Sequence, residues 1–479
     1  MTVIKSFTII LVSFLSMQLV QAGSTTVSFP DVLEEIDLEK ARKWHPPNFK
    51  NQEDALGYDI STFSVPPGME ERVSFWIDIY TKFNTNQGLL HDSRYVNLVY
   101  EVVDFTSIMT NENYSKREKQ KLRRKMVKEA KNKIKQRLTN LQKYSSPAGL
   151  DDEDLRYWYL FKNIKEHNRF KKATHRSRLR FQLGQSNRFY KGIYLSGLYL
   201  EKMEKIFKDS GLPVELTRLP FVESSFNYKA RSKVGASGIW QFMRYTGKRF
   251  LKMNVSVDER NDPIRATEAA ARMLKANYKR LDSWPLAVTG YNHGPSGVRR
   301  LVNKFKTRSI AELVNARRGS FGFASANFYA SFLAAITVEK NAKNFYEKIY
   351  WKKPQLSKEI KLTKNISKKE ILKWFNNDHD LAKTFNPHIK RVVWRDQVRL
   401  GKKNFLRVPE DIHQQVLADL SKLKKMNLFQ GKSYKVSNGD TLSSIAYNFG
   451  VSLRRLRSAN ANLNPRRLRI GQKIFIPRK

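Results

Sequence analysis

The chain has 479 residues, 41% hydrophobic and 12% aromatic, which is enough for packed cores in more than one domain and excludes disorder throughout. Its 89 lysines and arginines against 44 acids leave a net charge of +45, so acidic partners are expected. The lack of cysteine excludes disulfides, thiol catalysis, thiolate metal sites and a lipid anchor on cysteine.

Residues 1–22 read as a secretory signal. Lys5 is their one charge, Phe7 to Leu19 is apolar, and Val20-Gln21-Ala22 is a small-x-small cleavage pattern. The rival reading is an uncleaved anchor, but the apolar run falls short of the roughly 20 residues a spanning helix needs. The expected location is the periplasm or cell envelope. There an acidic wall polymer suits the charge better than nucleic acid, which is not expected as a partner.

Residues 23–180 read as a basic, mainly helical region. A polar lead-in runs to about Gln52. Pro66-Pro67-Gly68 then opens a helical pattern with Val73, Trp76, Ile77 and Tyr80 on one face. Tyr95 to Phe105 is rich in Val, Tyr and Leu and predicts a strand. Ser115 to Lys143 predicts a long basic helix with a narrow stripe of Leu122, Met126, Ala130, Ile134, Leu138 and Leu141. Such a helix either packs on its neighbours or serves as an arm touching the wall or a membrane surface.

Gly211-Leu212-Pro213 ends one helix and opens another, and several short helices follow as far as Asn341. Asp262-Pro263 predicts an N-cap and first helical residue, Trp284-Pro285 repeats the Pro placement, and Gly294-Pro295 reads as a stop. Ser325 is expected to cap a last helix from Ala326 to Glu339. Residues 181–345 thus predict an all-helical domain. Residues 346–423 predict an α+β extension, with a capping box at Ser367 and Glu370 and a strand at Phe405–Pro409. Residues 424–433 read as a basic linker. Residues 434–479 read as a small βααβ module.

Chemistry concentrates at Glu223-Ser224-Ser225-Phe226, Gly235-Ala236-Ser237-Gly238-Ile239-Trp240-Gln241 and Tyr291-Asn292-His293-Gly294. Glu223 lies four residues after Leu219, at the border of an apolar helix face, where desolvation disfavours its charged form. An acid protonated at neutral pH can donate to a glycosidic oxygen. Gly235 and Gly238 allow close approach of backbone to a sugar or to a neighbouring helix. Gln241 offers a donor and an acceptor together. Most glycosidases use two carboxylates, yet no second acid lies between Glu223 and Trp240. The nearest downstream are Asp258, Glu259 and Asp262, whose stretch reads as a loop organiser.

This order and spacing, over about Phe181 to Asn341, resembles the family 1 lytic transglycosylases of the goose-lysozyme-like fold, and among them the membrane-bound murein transglycosylases of the D type. The resemblance implies a lysozyme-like, mainly α catalytic domain that cuts peptidoglycan between N-acetylmuramic acid and N-acetylglucosamine. It implies that Glu223 protonates the glycosidic oxygen and then takes the proton of the muramic 6-hydroxyl, which closes on C1. It further implies substrate contacts from Ser224, Gly235, Gln241, Tyr291 and Asn292. The family tyrosine of the last helix aligns with Phe328, so Tyr329, one place on, is the candidate to replace it. Lipid-anchored members carry a cysteine after the signal, and this chain has none.

At the C-terminus, Gly439-Asp440-Thr441-Leu442-Ser443, Ile445-Ala446, Leu456, Asn460 and Leu468 through Pro477 resemble the LysM domain, which implies glycan binding through Gly439, Asp440, Thr441, Leu442 and Asn460. Lys361 to Pro409 runs in a similar order, with Asn386-Pro387 where the module has Asn464-Pro465, and is a candidate degenerate copy. Peptidoglycan strands are the expected partner and a monomer the expected state. The eight histidines show no metal-ligand spacing, so neither metal nor cofactor is expected. A goose-type lysozyme hydrolysing the same bond and a non-catalytic wall binder remain open from sequence.

Overall fold

The computed structural model describes residues 62–316, 321–460, 463–465 and 468–478, with the short strand Ala41–Arg42. The predicted signal lies outside these residues. Among them no helix is long and apolar enough to cross a membrane. The chain forms two compact units, one from residues 1–194 and 280–352, the other from 195–279 and 353–479. The all-helical stretch predicted at 181–345 is therefore shared between them.

The first unit holds a sheet that the helical reading of its N-terminal region missed. Gln87–Asp92 is the central strand, antiparallel to Val99–Asp104 on one side and Leu179–Leu183 on the other. The strand predicted near Tyr95 is thus present but shorter. Helix Lys116–Leu141 starts in a capping box between Ser115 and Glu118. Of its stripe, Ala130, Ile134, Leu138 and Leu141 are buried and join Leu90, Tyr100, Phe105 and Phe161 in one core, while Met126 packs at the edge. The helix is a packed one, with its lysines turned outward.

Helix Phe323–Lys340 is apolar nearly all round, which requires neighbours on every side. Helix Glu70–Thr81 is one of them. Arg72 Nη1 (3.3 Å) and Trp76 Nε1 (3.4 Å) both donate to Asn327 Oδ1. This packing draws the C-terminal part of the predicted all-helical domain to the N-terminal region. The helix begins three residues earlier than expected, with Gly322 at its N-cap. Ser325 is not its cap; its Oγ donates sideways to Asn292 Oδ1 at 2.9 Å.

In the second unit, two β-α-α-β segments follow one another. Strands Ser357–Lys361 and Phe405–Pro409 pair antiparallel around helices Lys368–Trp374 and His379–Phe385. Strands Gly431–Lys435 and Lys473–Pro477 do the same around Leu442–Asn448 and Leu453–Ala459. Both open their first helix with a capping box, Ser367 with Glu370 and Thr441 with Ser444. Both close on an asparagine clamp. Asn386 Nδ2 donates to Ala382 O and Arg407 O, and its Oδ1 accepts from Arg407 N. Asn460 does so with Leu456 O, Phe475 O and Phe475 N. Asn386 therefore corresponds to Asn460, not to Asn464 as the Asn-Pro pairing suggested.

The 357–409 segment is welded to the helical part of its unit. Asp262 caps helix Pro263–Leu281 through Arg265 N at 2.8 Å and also accepts from Arg407 Nε (2.9 Å) and Nη2 (3.0 Å). Burial opposes the Asp262 charge, yet Arg407 and its neighbours hold its pKa below the usual value. The predicted linker is docked too. Phe429 is buried and bridged to Val398, and Arg399 N donates to Leu428 O.

Replacing Arg407 by Met leaves the Asp262 carboxylate buried and unpaired, at an expected cost of about 3–5 kcal/mol at pH 7. Because Asp262 is depressed in the folded state, the wild-type advantage is full above the unfolded Asp pKa of ~3.9 and fades as pH falls through the folded value. Urea unfolding of both proteins at pH 7 and at pH 3 checks it: the gap between them should narrow in acid.

Candidate active site

Glu223 sits in the last turn of a short helix. A 3-10 turn, Val214–Arg218, feeds helix Leu219–Ser224, with Pro220 in its first turn. Leu219 and Phe221 face the core. Ser225 (φ +49°) and Phe226 (φ +56°) then turn left-handed without a glycine, a strained exit held by the fully buried Phe226 ring edge-on to Phe221 at 4.7 Å. The adjacent cation, Arg218, is committed to Glu204. Among the described residues no ion pair or hydrogen bond holds the Glu223 carboxyl. Desolvation alone pushes its pKa up to about 8.

The loop from Ala230 to Phe242 wraps this helix end. Ser224 Oγ donates to Ile239 O at 2.8 Å, tying the helix to the loop. Gly235 (φ +92°) makes a turn into open space. At Gly238 (φ +80°) a Cβ would overlap the Arg260 carbonyl, so its role is packing against backbone. Gln241, itself left-handed at φ +47°, donates from Nε2 to Gly238 O (2.7 Å) and Ala230 O (3.3 Å), leaving its amide oxygen for a ligand. Trp240 is buried, stacked on Phe207 at 5.8 Å, and donates to Thr267 Oγ1.

Arg260 braces the loop, donating from Nη1 to Gly235 O (2.7 Å) and Phe242 O (2.9 Å) while Asp258 holds its guanidinium (2.8 and 3.0 Å). Sequence reasoning had given the 258–262 acids a loop-organising part but passed over the arginine between them. The signal was there, a cation enclosed by acids directly downstream of the glycine loop. Glu259 is spent on Lys252 N (2.7 Å) and Asp262 on Arg407. Each of the three nearest downstream acids is thus engaged.

The remaining predicted residues lie in the other unit, at the end of helix Trp284–His293. Tyr291 lies parallel to the Phe328 ring, 6.4 Å away and 8° off plane. Asn292 is exposed and accepts from Ser325. Tyr329 is only 1% exposed and packs beside Phe332. Its hydroxyl has no partner among the described residues, and burial raises its pKa. Phe328, not Tyr329, therefore meets Tyr291; one residue along a helix turns a side chain by about 100°. So deeply packed, Tyr329 drops out of the expected sugar contacts.

In the C-terminal module, Gly439 (φ +81°) makes the turn, Asp440 accepts from Ser437 N and Tyr434 Oη, and Thr441 caps the first helix. Leu442 is in the core and Asn460 forms the clamp, so these two predicted glycan contacts are structural in this fold. Among the described residues no group of three or more His, Cys, Asp or Glu is placed to hold a metal ion.

A carboxyl raised to about 8 also bears on stability. Between the unfolded Glu pKa near 4.3 and the folded value, the folded state binds the extra proton, so stability falls as pH rises, by at most about 1.4 kcal/mol per unit. Glu223→Gln should therefore match wild type in urea unfolding at pH 4 and exceed it at pH 8. Equal midpoints at both would show an ordinary, solvated carboxyl.

Residues 203–314 match the Transglycosylase SLT domain and residues 434–477 the LysM domain. The chain is 30% identical over 285 residues to membrane-bound lytic murein transglycosylase D of Escherichia coli (strain K12), covering 56% of this chain and 61% of that protein. It is 33% identical over 131 residues to a putative tributyltin chloride resistance protein of Alteromonas sp. (strain M-1), covering 25% and 63%. The chain thus spans about three fifths of the length of these relatives. The 70 kDa soluble lytic transglycosylase SLT70 of E. coli aligns at 18% identity over 47% of this chain and 44% of that one, with a TM-score of 0.26, too low to bear on the fold. The two domain matches, with the relatives' alignment across half the chain, make this a protein with a transglycosylase SLT domain and a C-terminal LysM domain.

Proposed function

We propose that the protein is a lytic transglycosylase of the cell envelope that cleaves peptidoglycan without water. The observation that carries this is Glu223: an unpaired carboxyl held protonated near neutrality, whose nearest downstream acids are all committed elsewhere. A single acid suffices when the substrate supplies the nucleophile. Glu223 gives its proton to the glycosidic oxygen, the bond from C1 of N-acetylmuramic acid breaks, and the N-acetylglucosamine end leaves as an alcohol. The Glu223 carboxylate then takes the proton of the muramic 6-hydroxyl as that oxygen bonds to C1. The product is a 1,6-anhydro end and the acid is regenerated. Ser224, Gly235, Gln241, Tyr291 and Asn292 are the proposed sugar contacts.

The C-terminal LysM domain is proposed to hold the glycan, and residues 346–423 to contain a second unit of the same fold, on the strength of the matching capping boxes and asparagine clamps. The basic outer face of helix Lys116–Leu141 suits contact with an acidic wall or membrane surface. The protein is read as exported and monomeric.

Purified protein incubated with peptidoglycan sacculi should release muropeptides with anhydro ends, lighter by one water than hydrolytic products. Glu223→Gln should cut release by about 100- to 10,000-fold, what a positioned general acid contributes. Reducing ends would make it a lysozyme; intact sacculi with wild type bound would make it a wall binder. Because the acid form is the active one in the first step, the rate should hold at pH 6–7 and fall as pH rises through about 8.

A further inference from the structure

Within the second unit, a cleft of about 530 Å³ lies between the loop that follows Glu223 and the second helix of the 357–409 segment. Its walls carry Lys229, Arg231, Lys383, Arg391 and Arg395, and no acid lines it. Lys383 has the exposed Asp380 at 3.4 Å, and Asp396, beside Arg395, is taken by Gln430 (2.5 Å) and Arg478 (3.9 Å). Among the described residues no ion pair engages Lys229, Arg231, Arg391 or Arg395. In a chain rich in lysine an exposed cation is ordinary, but five converging on one concave surface without a carboxylate are a site for an anion.

The floor adds shape. Trp394 is buried and lines the cleft, with the His379 ring edge-on at 5.2 Å. His379 Nε2 is buried with no hydrogen-bond partner. Burial and nearby lysines lower its pKa, so the ring is neutral and offers an acceptor or a donor, but not a charge. Cations for carboxylates, an aromatic floor for side-chain stems and a neutral ring nitrogen for an amide together describe a short acidic peptide.

We infer that this cleft is a subsite for the carboxylate-bearing stem peptide of the glycan strand, beside the catalytic acid. This rests on the transglycosylase reading above. The cleft and the acid share one loop: Tyr228 follows Glu223 by five residues, at most about 17 Å of extended chain. Gln241 and Gly238 fix that loop by donating to Ala230 O. Residues 362–367, between the first strand and first helix of that segment, do not line the cleft.

The test is calorimetric titration of the full chain with free stem tetrapeptide and with the same peptide fully amidated. Wild type should bind the carboxylate form at least tenfold tighter. Arg391→Gln with Arg395→Gln should bring that ratio close to one. Lys208→Gln with Lys279→Gln, exposed positions outside the cleft that remove the same charge, should leave the ratio intact. Equal binding of the two peptides by wild type, an unchanged ratio in the arginine variant, or displacement of the peptide by peptide-free glycan would overturn the inference. The sacculus assay is read separately: peptide binding without cleavage removes the transglycosylase reading and leaves an acidic-peptide site, whereas anhydro release without peptide binding removes the subsite alone.

Discussion

Burial without a charged partner sets the state of one carboxyl, Glu223, whose pKa it pushes up to about 8. In a chain with 89 cations to 44 acids, an acid will find a positive partner unless the fold prevents it. Glu223 has no such partner among the described residues. Arg218 is held by Glu204, Arg260 by Asp258, Arg265 by Glu268 and Glu359, and Arg407 by Asp262. Any of these guanidiniums within reach of Glu223 would pull its pKa down and turn the acid into a spectator. Each of these cations is paired with another acid, and burial alone raises the Glu223 pKa.

Strain lies directly after it. The helix of Glu223 ends in two left-handed non-glycine residues, Ser225 and Phe226. Such conformations cost of order 1–3 kcal/mol each. Complete burial of Phe226 against Phe221 is of comparable size, since burying a large apolar side chain contributes about 1.5–3 kcal/mol. The loop carrying Gly235, Gly238 and Gln241 is fixed to this turn by Ser224 and braced from behind by Arg260, so the protein's own hydrogen bonds hold it in place.

What was legible in the sequence was local. The border position of Glu223, the Asp262-Pro263 helix start, the capping box at Ser367 and most of the stripe of helix Lys116–Leu141 rest on residues a few places apart, and stand in the structure. What failed was non-local. Strand Gln87–Asp92 needs Leu179–Leu183, far along the chain, to make its sheet. Arg407 is 145 residues from Asp262, and no spacing rule joins them. Tyr329 was a reasonable substitute by type, but the direction of a side chain on an apolar-all-round helix is set by what surrounds it. Leu442 and Asn460 carry a related lesson: a motif marks the residues a fold requires as readily as those a ligand touches.

The two β-α-α-β segments make that last distinction concrete. They share strand pairing, capping boxes and the asparagine clamp, so these features are the requirements of the fold and say nothing of ligands. What differs is the residue opposite the clamp. In 431–477 it is Phe475. In 357–409 it is Arg407, whose guanidinium reaches Asp262 at the start of helix Pro263–Leu281. That side chain ties the 357–409 segment to the helical part of its unit. Specificity in such a segment must come from the residues outside the shared framework, and there the first segment carries Lys383, Arg391, Trp394 and Arg395.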